Sequence, residues 1–148
     1  LMLEHDFKYR LELQNLIDKG AQMPKLHIPT SKTAYRYVFS DKPDKNHIPV
    51  YIQKPKRAIS DADKNKLITS GYALSCFENE EKAVAKYNEY KAHSPQIKNT
   101  LGDSLSNGTL NESDGLITTA NQESSHFDLY EFRECDLSLT FQIKRTLI

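Results

Sequence analysis

Residues 137–143 read Leu-Ser-Leu-Thr-Phe-Gln-Ile, with a large apolar side chain at every second position. A strand turns successive side chains to opposite faces, so this alternation predicts a ribbon with one buried and one wet side, as in an antiparallel sheet. Further β-type runs precede it. Gly108–Leu110 leads into Asn111-Glu112-Ser113-Asp114-Gly115, whose Asp-Gly pair suits the positive φ of a hairpin turn. Leu116–Ala120 follows, then the polar turn Asn121–Ser125, then His126–Phe132. Several strands gathered after helical segments imply an α+β chain with its helices on one side of the sheet.

The helical segments lie upstream. Leu3, Phe7 and Leu11 recur at helical spacing, and Leu13, Leu16 and Ile17 widen the stripe, so residues 1–20 read as an amphipathic helix. Residues 21–33 hold two prolines and no periodicity, which marks a connector. Within 34–148, Ala34–Phe39 alternates as a strand. Ile48, Val50 and Ile52 also alternate, around a Pro49 that confines them to an edge or extended segment. Ser60-x-x-Asp63 resembles a capping box opening a helix. Tyr72–Phe77 reads as a strand, and Asn79 caps a helix running to His93 with Glu80 and Glu81 in its first turn. Ser94-Pro95 begins a shorter helix. The expected fold is therefore α+β: a mixed, mainly antiparallel sheet of about five or six strands, with three or four helices packed mostly on one face.

Charge and cysteine content narrow the function classes. The 20 basic and 20 acidic side chains cancel, so the excess that nucleic acid or an anionic membrane selects is missing. No apolar run reaches the length of about 20 residues needed to cross a bilayer. The first residues lack the pattern of a signal peptide. Two cysteines, Cys76 and Cys135, are too few for a disulfide scaffold and form no C-x-x-C pair, which favours a reducing, cytoplasmic setting. The five histidines show no ligand spacing, and no metal site is expected.

Several residues are out of place for their elements. In a regular strand, Glu131 shares a face with Phe127 and Leu129, where it is either buried or at a strand end. A perturbed acid in a cleft is a candidate catalytic group. Arg36 lies inside a strand, where a guanidinium can clamp a phosphate or carboxylate or else cover a wet face. Tyr37 neighbours it as a possible ligand contact. Ser75 and Cys76 precede a helix N-terminus, a place that suits anions and acidic thiols. His126 could serve Cys76 as a base, though Cys76 reads better as a small buried thiol. Lys54, Lys56 and Arg57 form a small basic cluster beside Tyr51, more in keeping with a solvated loop than with nucleic-acid binding.

The order of Arg36 on an early strand, Ser75 at a strand-to-helix junction and Glu131 on a late strand is similar to the Arg–Ser–Glu pattern of ADP-ribosyltransferases. That resemblance implies NAD as cofactor, with Arg36 on its phosphates, Ser75 bracing the ribose side and Glu131 stabilising an oxocarbenium-like transition state. The chain has Leu74-Ser75-Cys76 where that family has Ser-x-Ser, and Leu129 where it often has Glu or Gln. The reading that draws least on analogy is a small soluble accessory or protein-interaction domain without catalytic activity or cofactor. Its partner, or a second copy in a dimer, would be met through the N-terminal helix.

Overall fold

The computed structural model describes residues 3–148. Its centre is a six-stranded antiparallel sheet: β1 (Lys32–Val38), β2 (Leu74–Phe77), β3 (Ser104–Leu110), β4 (Gly115–Ile117), β5 (His126–Glu131) and β6 (Gln142–Thr146). Their order across the sheet is β4-β5-β2-β1-β3-β6. The helices are α1 (Arg10–Asp18), α2 (Val50–Gln53), α3 (Pro55–Asp63), α4 (Glu80–His93) and α5 (Ile97–Thr100). The α+β expectation holds. Among the described residues no helix is long and apolar enough to cross a membrane.

Chain connectivity forces the sheet to curl. Only four residues, Asn111 to Asp114, join β3 to β4, although β1, β2 and β5 lie between them in the sheet. Four flat strand spacings measure about 19 Å, whereas five fully extended Cα steps reach about 18 Å at most. The link is itself turned, with Asp114 N–H donating to Asn111 O at 3.0 Å, so its reach is shorter still. The two ends of the sheet therefore bend toward one another. The Asp-Gly sequence makes a turn as expected, but the strands it joins are not paired.

The curl gives the sheet a concave face. Ala34, Leu74, Cys76, Leu110, Ile117, Phe127 and Leu129 line it in one buried cluster. Residues 132–141 close this face without a helix or strand: Leu137 and Phe141 turn inward, and Cys135 joins the same cluster. The opposite face carries the helices at two separate places. Tyr35, Tyr37, Phe77 and Leu105 pack with Ala83 and Val84 of α4, while Leu116 and Tyr130 pack with Phe7 and Leu13.

Four local expectations are corrected. Residues 137–143 do not form the last strand. Asp136 starts a turn, accepting Ser138 N–H on its carboxylate at 3.1 Å and Leu139 N–H on its carbonyl. Phe141 N–H then bonds Leu137 O at 2.8 Å, so Leu137 and Phe141 meet the core four residues apart while Leu139 is 84% exposed. Strand β6 begins only at Gln142. Ile48, Val50 and Ile52 are not extended: Pro49 stands before a helical turn and starts α2. Helix α3 opens at Pro55, which occupies its first position, so Ser60 lies inside the helix rather than capping it. The N-terminal helix spans only Arg10–Asp18. Before it, Phe7 bridges to Phe132, and Leu11 is exposed rather than part of the stripe. Asn79 caps α4 as expected, its side chain accepting Lys82 N–H at 2.9 Å.

The turn at 136–141 gives two neighbouring leucines opposite fates. Leu137→Ala should cost roughly 2–5 kcal/mol by urea unfolding. Leu139→Ser should stay within about 0.5 kcal/mol of the parent. Equal losses would restore the strand reading.

Candidate functional site

Of the residues that the sequence singles out, the sheet separates one group from another. Neighbours directly opposite in the ladder share a face. Arg36 and Glu131 point to the concave side, along with Cys76. Ser75, His126 and Asp128 point to the helix side. The convergence that an Arg–Ser–Glu site needs is not assembled at the side-chain level, because Ser75 faces away from the other two. Cys76 likewise faces away from His126.

The two concave-face charges are engaged in holding the fold. Strands β1 and β2 share only one laddered pair, Tyr35 with Phe77. Beyond it, the Arg36 guanidinium donates to the Ser75 carbonyl and so stitches the two strands where the ladder fails. Its Nε–H donates to His47 Nδ1 at 3.0 Å, which places the ring proton on Nε2. Burial, and then the Arg36 charge, push the His47 pKa down to about 3. Glu131 is 4% exposed, and its Oε2 accepts from Lys8 Nζ at 2.8 Å. Lys8 Nζ also donates to Cys135 O at 2.5 Å, and Lys8 N–H to Glu131 O at 2.9 Å. The other Glu131 oxygen, Oε1, is buried and has no hydrogen-bond partner among the described residues.

Both thiols are free. Burial raises the Cys76 pKa to about 11 and pushes that of Cys135 further up, the latter helped by the Glu131 and Asp114 charges. Thiols held protonated in this way are poor nucleophiles. Tyr37 is also structural: its hydroxyl donates to Ala83 O at 2.7 Å, and its ring packs on Phe77 and Tyr87.

The helix-side group is the one that reaches solvent. Ser75 Oγ and His126 Nε2 lie 2.9 Å apart, and Asp128 Oδ1 lies 3.6 Å from the same nitrogen. In a Ser–His–Asp relay the acid holds the opposite ring nitrogen. Here hydroxyl and carboxylate compete for one nitrogen, so the cluster suits binding better than proton transfer. Burial raises the Asp128 pKa, and His126 partly offsets it. These three side chains form the floor of a cleft of about 260 Å³, walled by Tyr51, Arg57, Asp61 and Ile68. Sequence reading found Ser75 and His126 but missed Asp128, although its position two residues after His126 on a strand puts it on the same face. It also missed His47 and Lys8, because loops and distant chain segments bring them in.

One sheet edge is open. On β4 the outer edge is sealed by His27, which exchanges two 2.9 Å backbone bonds with Ile117. On β6 all five residues are exposed, and among the described residues only β3 pairs with them. No set of three or more His, Cys, Asp or Glu among the described residues could hold a metal ion. Comparison of the chain with known protein families, curated proteins and solved structures gives no match.

Two outcomes follow from the interior charges. A histidine kept neutral in the fold, but free to protonate when unfolded, makes stability fall as pH drops below about 6.5 toward the folded value near 3. Urea midpoints should show this fall, and its part between about pH 6.5 and pH 5 should flatten in His47→Gln. Lys8→Met should cost about 3 kcal/mol by leaving Glu131 buried and unpaired. Glu131→Leu should cost less in the Lys8→Met background than in the parent, and equal costs in the two backgrounds would show that the pair is not coupled.

Proposed function

We propose that the chain is a protein-interaction domain that takes up an extended segment of a partner along β6. The observation that carries this reading is the unequal treatment of the two sheet edges: β4 is sealed by His27, while β6 offers its outer row of backbone groups. An unpaired edge is a template for strand addition, with backbone hydrogen bonds giving affinity and alternate side chains giving selectivity. Ile143, Leu139 and Ile148 are exposed in or near this strand, at 52%, 84% and 51%.

The charges on β6 favour one kind of occupant. Lys144 and Arg145 stand side by side, and both reach the single carboxylate of Glu80, at 2.7 and 3.7 Å. One positive charge is left over. Pairing β6 with a second copy of itself would bring these cations together, which opposes a dimer at this edge. A strand that alternates apolar and acidic residues meets both the isoleucine side and the cationic side. The N-terminal helix is a weaker candidate surface, because Leu13 and Leu16 are buried and only Leu11 stands clear. Two free, buried thiols suit a reducing compartment such as the cytoplasm.

A labelled peptide of alternating Val and Glu serves as the probe, with a Val–Lys counterpart and a backbone N-methylated version as controls. Fluorescence anisotropy should show binding of the first alone, and Lys144→Glu with Arg145→Glu should abolish it. Equal binding of the Val–Lys peptide, or amide shifts mapping away from residues 142–146, would overturn the proposal.

A further inference from the structure

The cleft on the helix side of β2 and β5 is lined by three charged side chains: Asp61, which accepts from Tyr51, and Asp128 and Arg57, which form no hydrogen-bonded ion pair among the described residues. The Asp128 carboxylate is withdrawn to 22% exposure, yet His126 Nε2 at 3.6 Å is its nearest ionic contact. That distance is too long for a hydrogen bond, and no other side chain among the described residues donates to this carboxylate. A carboxylate lifted out of water without donors is costly, and a bound cation relieves it. Arg57 lines the same cleft and forms no ion pair among the described residues. Its planar guanidinium is matched to a carboxylate.

The apolar wall is fixed in place. Gly71 lies so close under Tyr51 that a Cβ there would stand 2.2 Å from a ring carbon. The Tyr51 hydroxyl donates to Asp61 Oδ2 at 2.6 Å, and the ring meets Tyr72 edge-on. Val50 and Ile68 extend this wall. The space, about 260 Å³, lies below the usual range of pockets for drug-sized ligands and suits a smaller molecule.

We propose that this cleft binds a free aliphatic amino acid, with its ammonium on the Asp128 carboxylate, its carboxylate on Arg57 and its side chain against Val50, Tyr51 and Ile68. Ser75 and His126 supply further hydrogen bonds beside the ammonium site. The inference is independent of strand addition at β6, because the two surfaces share no residue. Binding should fade in acid as Asp128 takes up its proton, and because burial raises the Asp128 pKa, this loss should begin above the ordinary aspartate range.

Leucine, N-acetylleucine and leucine amide separate the contributions when titrated into ¹⁵N-labelled full-length protein. Leucine should shift the amides of Ser75, His126 and Asp128 with a dissociation constant on the order of 1 mM. N-acetylleucine, which has no cation, should leave them unmoved. Leucine amide, which has no anion, should bind about tenfold more weakly. Asp128→Asn and Arg57→Gln should each weaken leucine about tenfold or more, with melting curves confirming that both variants fold, while Glu112→Gln should change nothing. Three results would overturn the proposal. The first is no saturable shift with leucine up to roughly 20 mM. The second is leucine binding that survives Asp128→Asn. The third is leucine amide binding as tightly as leucine, which would assign the cleft to a polypeptide amino terminus instead.

Discussion

The seam between β1 and β2 is the point on which the structure turns. Two halves of the sheet meet there, β4-β5-β2 on one side and β1-β3-β6 on the other, and a single laddered pair joins them. A seam this thin allows the sheet to bend, which the short link from Leu110 to Gly115 demands. It also leaves backbone groups in need of partners in a buried place, where an unmade hydrogen bond is expensive. Arg36 meets that need by donating to the Ser75 carbonyl, and His47 accepts from its remaining face. The guanidinium is thus a structural part of the curl, and the neutral state of His47 follows from sitting against it.

The same curvature explains why apparently catalytic residues are split. A sheet has two sides, and the ladder decides which residue faces which. Arg36, Cys76 and Glu131 face inward with the apolar cluster; Lys8 balances the Glu131 charge, while Arg36 is met by the neutral His47 ring and the Ser75 carbonyl. Ser75 and Asp128 stand opposite each other on the other side, next to His126, in the cleft lined by residues of α2 and α3. Among the features open to solvent are the polar cleft and the outer edge of β6.

Much of this was legible from the residues alone. The helix capped by Asn79, the alternation of Tyr35 and Tyr37, and the anomaly of Glu131 among Phe127 and Leu129 are local signals, and each corresponds to an observed feature. The misreadings arose where a short pattern fits two geometries. Leu137, Leu139 and Phe141 match a strand's period of two, yet Leu137 and Phe141 also match a turn's spacing of four, and Asp136 with Ser138 decides for the turn. Ser104 and Ser106 hid the first half of β3, since buried serines bonded to Asp103 and to the Arg36 carbonyl carry no hydrophobic signal. The partners of the interior charges were beyond local reading: Lys8 and Glu131 lie 123 positions apart, and nothing in either neighbourhood announces the other.

The segment that closes the concave face rests on β3 at Gly108, where a Cβ would stand 2.8 Å from Thr140 O and 2.9 Å from the Phe141 ring. The Thr140 carbonyl, the Thr140 methyl and the Phe141 ring all crowd this contact, while the Leu139 side chain points out to solvent. While position 108 is not free to drift, position 139 is free to do so, or to carry a spectroscopic label. A reporter placed there would ride on the closure itself and register any opening of the interior without belonging to it.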